Sequence, residues 1–543
     1  YEAKKLPAEE IELLTKWIDQ GAKWGEHWAY SLPEKVEVPS FNSEASFISE
    51  DETSFLKNSI DHFILAKLSD KEISPNMPAA KNIIARRAAL DIVGLPPSQS
   101  FLRQFESGSI TYEAMVDTLL NDKAYGEKWA TWWLDLARYA DSKGYEKDMG
   151  REIWKYRDWV IDAFNSDMPY DQFTIEQLAG DLLPEPSVDQ LIATAFHRNT
   201  MNNDEGGTDD EEFRVAAVID RINTTFSVWQ STTMECVQCH SHPYDPFKHK
   251  EYFNLMAFFN NSRDEDVPSE SPILKMYTPE QQMKVNEVLE WVSKYGSESI
   301  RKKYKDFLQF TEPVYKSHFF KDFKNSVYDD HASVVYWDDG STIIENGYTE
   351  ESSYVYLNYR SHYDGTQMTI RKGDSNGPIL GQFIINKSKH NTTSQFPIKS
   401  ISEKTDIYIE TQNNSVAKEV NILNLYWVGF ITDLPGKEQV GWKKVNSDFM
   451  ELINTNPPTV PIMAENPEYM KRTTQLFDRG SWLTKTDTVE PGVPESLNDW
   501  NSDWPDNRLG LSKWMVDKKN PLTARTLVNR VWHQIYGRGA LHT

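Results

Sequence analysis

The 543 residues carry 58 Lys and Arg against 82 Asp and Glu, a formal net charge of −24. That acidic excess excludes duplex nucleic acid as a partner, since phosphate binding needs clustered Lys and Arg, and no run approaches the ~18 apolar residues a membrane span requires. Aromatics at 13% supply a packed core and exclude a disordered chain, while two cysteines exclude a disulfide framework.

At about 100–200 residues per domain the length predicts three or four domains. Residues 8–20 read as a helix, with Ile11, Leu14 and Ile18 on one face and Gly21 at the C′ position. Trp28 to Pro39 reads as a linker, and residues 55–265 are expected to be mainly helical. Trp129, Trp133, Leu136 and Ala140 share a helical face there, and Asp135, Arg138 and Asp141 lie on another where ion pairs can form. A loop at Glu205-Gly206-Gly207 precedes a helix from about Asp209 to Trp229 with acidic residues in its first turn. Residues 270–325 read as charged helices. From about 326 the period becomes two: Val355, Leu357 and Tyr359 alternate with Tyr354, Tyr356 and Asn358, and Ile407 and Ile409 alternate with Asp406, Tyr408 and Glu410. With the turns Asn346-Gly347 and Asp364-Gly365, this predicts an antiparallel sandwich over 326–432. Residues 433–504 read as an irregular connector. Residues 505–543 read as the start of a further helical domain, which the chain leaves incomplete; the absence of an initiator Met before Tyr1 likewise suggests a processed chain or a fragment.

The two cysteines fall together in Cys236-Val237-Gln238-Cys239-His240. C-x-x-C-H is the haem c attachment pattern. Two thiols three positions apart on one turn reach the two vinyl groups of a porphyrin, and the adjacent His240 offers its imidazole to the iron. The same residues admit a plain C-x-x-C redox pair, or half of a zinc site completed by His242 and His249. His197, His242, His249, Met201, Met234 and Met256 are candidates for the distal iron ligand, and His242 with Asp245 could bind a second metal. The expected fold class is therefore multi-domain α + β: a mainly helical haem-bearing domain plus an antiparallel, jelly-roll-like β-sandwich. Haem attachment takes place outside the cytoplasm, so a periplasmic or cell-surface location follows.

Asp135, Arg138, Asp141, Glu146, Asp148, Glu205, Asp209, Arg214, Asp220 and Arg221 form a dense polar set. Asp141, Glu146, Glu205, Arg138 and Arg214 are its catalytic candidates, through a carboxylate pair acting as general acid and base. The set could instead bind calcium or form a structural ion-pair network. In the sandwich, Trp337, Tyr348 and Tyr363 are candidates for stacking on sugar rings; Trp427 alternates with Leu423 and Leu425 and reads as core.

The helical region resembles the planctomycete-type cytochrome c proteins, which carry paired conserved domains of unknown function. The resemblance covers about 55–263 and rests on long strings: Asp135-Leu136-Ala137-Arg138-Tyr139-Ala140-Asp141-Ser142, Gly144-Tyr145-Glu146-Lys147-Asp148, Tyr156-Arg157-Asp158-Trp159-Val160, Glu176-Gln177-Leu178-Ala179-Gly180-Asp181-Leu182, Glu212-Phe213-Arg214 and His242-Pro243-Tyr244-Asp245-Pro246. Residues 1–40 resemble the end of the family's N-terminal cytochrome c domain and its linker, and residues 505–543 the start of its C-terminal domain. The sandwich is similar to family-six-type carbohydrate-binding modules, chiefly at Tyr359-Arg360-Ser361 and Asp364-Gly365-Thr366. The resemblance implies an exported haem c protein of electron transfer or oxidoreduction linked to polysaccharide utilisation, with a redox partner or upstream cytochrome domain and an oligosaccharide or polysaccharide as partners. The alternatives are a carbohydrate-active hydrolase or lyase with auxiliary haem, and a non-catalytic carbohydrate-binding protein.

Overall fold

A computed structural model of the chain describes residues 6–22, 27–40, 56–203, 205, 207–350 and 352–541. They form two compact units: residues 1–121 with 495–499 and 517–543, and residues 122–494 with 500–516. The single helical region expected over 55–265 is thus divided at 121.

In the first unit the expected helix is Ala8–Asp19, followed by Gly21 at φ +95. Four further helices, Ser59–Ser69, Lys81–Val93, Gln99–Ser107 and Tyr112–Leu120, bury Leu65, Ala85, Ala89, Phe105, Met115 and Leu119. The helix Thr523–Tyr536 belongs to the same unit and ties down the Trp28–Tyr30 turn: Arg525 Nη1 donates to Ala29 O and Ser31 O, both at 2.7 Å.

The helical part of the second unit packs around large rings. Trp133 on the helix Lys123–Leu136 meets Phe173 at 4.8 Å and Trp229 at 5.5 Å between centroids, and Phe196 meets Trp229 at 4.7 Å. Buried rings keep their polar edges paired: Trp133 Nε1 and Tyr156 OH both donate to Gln177 Oε1 (2.8 and 2.7 Å), and Trp229 Nε1 donates to Thr174 Oγ1 (2.9 Å). The helix expected near 209–229 spans Asp210–Gln230, capped by the Asp209 carboxylate. The helix carrying Trp129 and Trp133 stops at Leu136, so Ala140 lies outside it and Arg138 adopts φ +58. Arg508, on the helix Arg508–Met515, is fully buried and binds Asp181 through two hydrogen bonds of 2.9 and 2.6 Å.

The sandwich begins earlier than expected, at β2 (Tyr315–Lys316) and β3 (Phe320–Asp329). It continues through β4 (Ser333–Gly347), β5 (Tyr354–Ser361), β6 (Thr366–Lys372), β7 (Ile379–Ile385), β8 (Thr392–Pro397), β9 (Thr405–Gln412) and β10 (Leu423–Gly429). All pairings are antiparallel, in the order β7-β6-β9-β4-β10-β5-β8, with β3 beside β4 and β2 beside β10. A bond from Lys399 N–H to Leu380 O (2.7 Å) links the ends of β7 and β8, so the sheet curls into a near-barrel. Strand β4 turns the corner. Val334–Tyr336 pairs with β10, and Gly340–Ile344 pairs with β9. At the bend, a Cβ on Gly340 would stand 2.6 Å from Asn325 O, too close for any other residue. Val355, Leu357, Ile407, Ile409, Leu423 and Leu425 fill the core, as the alternation predicts.

The outer face of the sheet is covered as well. Helices Pro279–Tyr295, Glu298–Phe310 and Trp442–Ile453 pack Val288, Phe307, Phe449 and Leu452 against Tyr356 and Trp427. A bulge between Leu425 and Trp427 explains the position of Trp427: it shifts the register by one residue, turning Val428 into the sandwich core and Trp427 toward the helices. The 433–504 connector is therefore not irregular. It contains a helix, the strand β11 (Thr459–Pro461) paired with β1 (Ile273–Lys275), and the hairpin β12 (Thr474–Phe477)–β13 (Lys485–Val489).

Candidate functional site

The Cys236 segment follows directly from the helix Asp210–Gln230, which ends at Ser231 in the left-handed conformation (φ 48). A short 3-10 turn, Glu235–Gln238, is anchored by the buried Met234 and Val237. That anchoring turns Cys236 and Cys239 outward as exposed free thiols. His240 is exposed too, and its Nδ1 lies 2.8 Å from Ser241 O. A carbonyl only accepts, so Nδ1 carries the proton and Nε2 keeps the lone pair, the tautomer that ligates metals. The two neighbouring imidazoles are committed differently. His242 Nδ1 accepts backbone N–H groups from Asp245 (2.7 Å) and Tyr244 (3.3 Å), which leaves the proton on Nε2. His249 lies between two carbonyls, Val237 O at 2.9 Å and Phe477 O at 3.3 Å. Gly480, at φ +74 in the β12–β13 hairpin, closes on the turn: a Cβ there would stand 3.0 Å from Cys239 Sγ. A glycine at this point leaves room at the thiol.

Among the described residues no three His, Cys, Asp or Glu side chains converge to hold a metal ion. The zinc set with His242 and His249 and the calcium set are thus not assembled here. Asp245 lies 3.5 Å from His242 Nδ1 as an isolated pair. Of the distal-ligand candidates, His197, Met234 and Met256 are buried in the core and Met201 is exposed.

The polar set resolves into separate ion pairs around the segment 262–270. Arg138 pairs with Asp220. Arg214 holds Glu211 through Nε (2.6 Å) and Nη2 (2.9 Å) and donates to Asn260 Oδ1 (3.0 Å). Arg221 donates to Asp264 Oδ1 (3.1 Å), Ser262 Oγ (3.2 Å) and His197 O (3.1 Å). Arg151 binds Glu270 (2.7 Å) and Thr200 O (3.0 Å), while Arg198 donates to Glu270 O (2.8 Å) and Ile462 O (2.7 Å). Burial alone would raise the Asp264 carboxyl; the Arg221 and Arg198 guanidiniums overcome it and hold Asp264 well below the usual carboxylate range. Burial, reinforced by the Arg221 and Arg508 charges, pushes His197 far below its ordinary value, so it is neutral. Of the catalytic candidates, Asp141 and Glu146 are exposed and Glu205 is half-buried. No hydrogen bond or ion pair joins these three to one another. Asp141 instead accepts the Tyr139 hydroxyl at 2.6 Å. Gly206 lies outside the described residues. Sequence reasoning found Arg138, Arg214, Asp220 and Arg221 but missed Arg151, Arg198, Asp264 and Glu270. The run Arg263-Asp264-Glu265-Asp266 was the available signal.

At the sandwich rim, the β4 corner bears Trp337, half-buried, and the β5–β6 turn bears Tyr363, 38% exposed. Buried Asn413 ties the two loops together. Its N–H donates to Asp338 Oδ1 (2.8 Å), and its Nδ2 donates to Asp364 O (3.1 Å) and Thr366 Oγ1 (3.0 Å). Tyr348 is not part of this cluster: past the far end of β4, its ring packs on Tyr469 at 5.1 Å, and its N–H donates to Tyr315 OH at 2.7 Å.

Residues 59–264 match PSCyt2, described as a protein of unknown function (DUF1549), and residues 507–543 match PSD1, likewise of unknown function (DUF1553). No curated protein matches the chain. Among solved structures, 22% of the chain is similar to 94% of a carbohydrate-binding module from Clostridium stercorarium in complex with cellobiose (14% identity, TM-score 0.19). The same share is similar to 96% of a β-1,3-glucan-binding module from Bacillus halodurans (16% identity, TM-score 0.20). No helix among the described residues is long and apolar enough to cross a membrane.

Proposed function

We propose that the chain is an exported haem c protein that engages carbohydrate through its sandwich and exchanges electrons through the Cys236–Cys239–His240 turn. The observation that carries this reading is the donor set: two exposed thiols on one turn beside an imidazole whose Nδ1 bond to Ser241 O leaves Nε2 as the lone-pair nitrogen. Cys236 and Cys239 would form the thioether links and His240 would ligate the iron. A haem held there supplies a one-electron redox centre. Gly480 contributes by keeping space at Cys239. Its electrons would pass to a redox partner or an upstream cytochrome domain. Covalent haem attachment outside the cytoplasm supports a periplasmic or surface location.

The rim supports the carbohydrate part. An exposed aromatic and a half-exposed one, on loops held in place by a buried asparagine, suit a sugar's apolar face and its ring hydroxyls. The polar set gives the hydrolase or lyase reading little support, because its arginines are bound to carboxylates or carbonyls and Asp141, Glu146 and Glu205 do not meet. The test is a pyridine haemochrome spectrum and intact mass of chain matured with a haem-attachment system, alongside Cys236→Ser and Cys239→Ser. Chain of unmodified mass with no visible absorption rejects the redox part. Turnover of a polysaccharide without any electron acceptor would favour the hydrolytic alternative.

A further inference from the structure

A pocket of about 410 Å³ opens in the second unit between the segment after Asp266, strand β1 and the outward side of β5, β8 and β10. That volume is in the range of small-molecule sites, about 300–1,000 Å³. Strand alternation explains one wall. Leu274 is buried away from the pocket, while Ile273 and Lys275 fall on the opposite face and line it. The bulge in β10 explains another, because it brings Trp427 to this side of the sheet. Asn358 and Asn454 are fixed in place. Asn358 Nδ2 donates to Thr393 Oγ1 (3.0 Å); Asn454 accepts from Thr393 N–H (2.7 Å) and donates to Thr393 O (3.0 Å).

The charges lining this pocket run against those of the chain. In a protein of net charge −24, the described residues of the lining include Lys275, Lys316, His318 and His331 but a single carboxylate, Glu312. Glu312 is already saturated: it accepts Arg263 Nε (2.9 Å) and Val314 N–H (3.0 Å) and pairs with Lys316. His331 is held by Asp210, which also accepts Tyr328 OH (2.9 Å). His318 stands 3.7 Å from Glu265 and is kept neutral chiefly by burial, with the Lys316 and Arg263 charges adding to it. Among the described residues no carboxylate stands within ion-pair distance of Lys275, and burial pulls its ammonium down to about 8. A desolvated ammonium without a counter-ion is costly, and an anion in the pocket removes that cost.

We propose that this pocket binds an acidic sugar, a saccharide unit bearing a carboxylate or a sulfate, with Lys275 as its counter-charge and Trp427 as its apolar wall. Asn358 uses one amide hydrogen on Thr393 Oγ1 and can offer its other hydrogen and its oxygen to sugar hydroxyls, while Asn454, whose amide hydrogens go to Thr393 O and Met450 O, can offer an oxygen lone pair. The site is separate from the rim and from the Cys236 turn, and the proposal rests on neither.

The experiment is titration calorimetry on the full chain with sodium glucuronate, glucose 6-sulfate and glucose. One or both charged sugars are expected to bind at least ~10-fold more tightly than glucose, which separates the carboxylate from the sulfate reading. Lys275→Gln is expected to abolish that preference; Lys387→Gln, at an exposed lysine, is expected to leave it intact. On the unaltered chain, affinity for the preferred sugar is expected to fall between about pH 7.5 and about pH 9.5 as Lys275 loses its proton. Equal binding of all three sugars, binding of none, a preference that survives Lys275→Gln, or affinity indifferent to that rise in pH would each overturn the proposal.

Discussion

Asp264→Asn probes the ionic clamp that links the two helices flanking the Cys236 turn in sequence. Arg221 lies on the helix that leads into that turn, and Asp264 lies just past the helix His249–Asn260 that follows it. Their side chains are 1% and 7% exposed. At about 3 Å and an effective dielectric of ~20, the pair attracts by about 5 kcal/mol. The amide keeps a hydrogen-bond acceptor but leaves the Arg221 charge buried with only Ser262 Oγ and His197 O as other partners. Breaking one side of a buried pair costs about 3–5 kcal/mol, and the expected loss falls in that range. Urea unfolding followed by tryptophan fluorescence measures it, since Trp133 and Trp229 report from the same unit. The pH dependence has a defined sign. The folded carboxyl lies below the ordinary unfolded value of about 3.9. Its contribution is therefore present above about pH 4 and lost as pH falls below that. The gap between wild type and variant should narrow from about pH 6 to about pH 3. A loss under about 1 kcal/mol, or a gap that does not change with pH, would refute the clamp.

Three further predictions concern the sandwich and the turn. Leu357→Ala, in a core position with 0% exposure, should cost about 2–5 kcal/mol by chemical denaturation. Gly480→Ala should destabilise by about 1–2 kcal/mol, because φ +74 is unfavourable for alanine. It should also lower the fraction of chain that acquires haem, read from the haem-to-protein absorbance ratio. On whichever insoluble polysaccharide of a screened panel retains the wild-type chain, Trp337→Ala and Tyr363→Ala should each weaken retention roughly tenfold, about 1.4 kcal/mol, whereas Tyr348→Phe should not, since the Tyr348 ring lies against Tyr469.

Much of the fold is local information and was legible. Period-2 runs such as Val355-Tyr356-Leu357-Asn358 place one face in the core whatever the strand order. Asp209 and the acidic turn after it mark a helix start that the structure keeps. The misses came from non-local effects. The helix Trp442–Ile453 has Val445, Phe449 and Leu452 on one face, but prolines and asparagines around it hide the stripe. Arg138 continues a helical pattern in sequence, yet it takes a left-handed backbone and pairs with Asp220 on another helix. Trp427 sits in phase with Leu425 until the bulge, which no short-range pattern announces, reverses it. The partners of the arginine set lie far along the chain, as with Arg151 and Glu270. The Cys236 motif was legible because its chemistry is local. Two features around it were not: the Nδ1 bond that sets the His240 tautomer, and the approach of Gly480.

If Cys236, Cys239 and His240 hold one covalent haem, His240→Ala in chain matured with a haem-attachment system separates attachment from iron ligation. Wild type and variant are both expected to gain the mass of one haem, and the variant's visible spectrum is expected to differ from that of the wild type because the iron has lost its imidazole ligand. A wild-type chain of unmodified mass, or a spectrum that the substitution leaves unchanged, would contradict this reading.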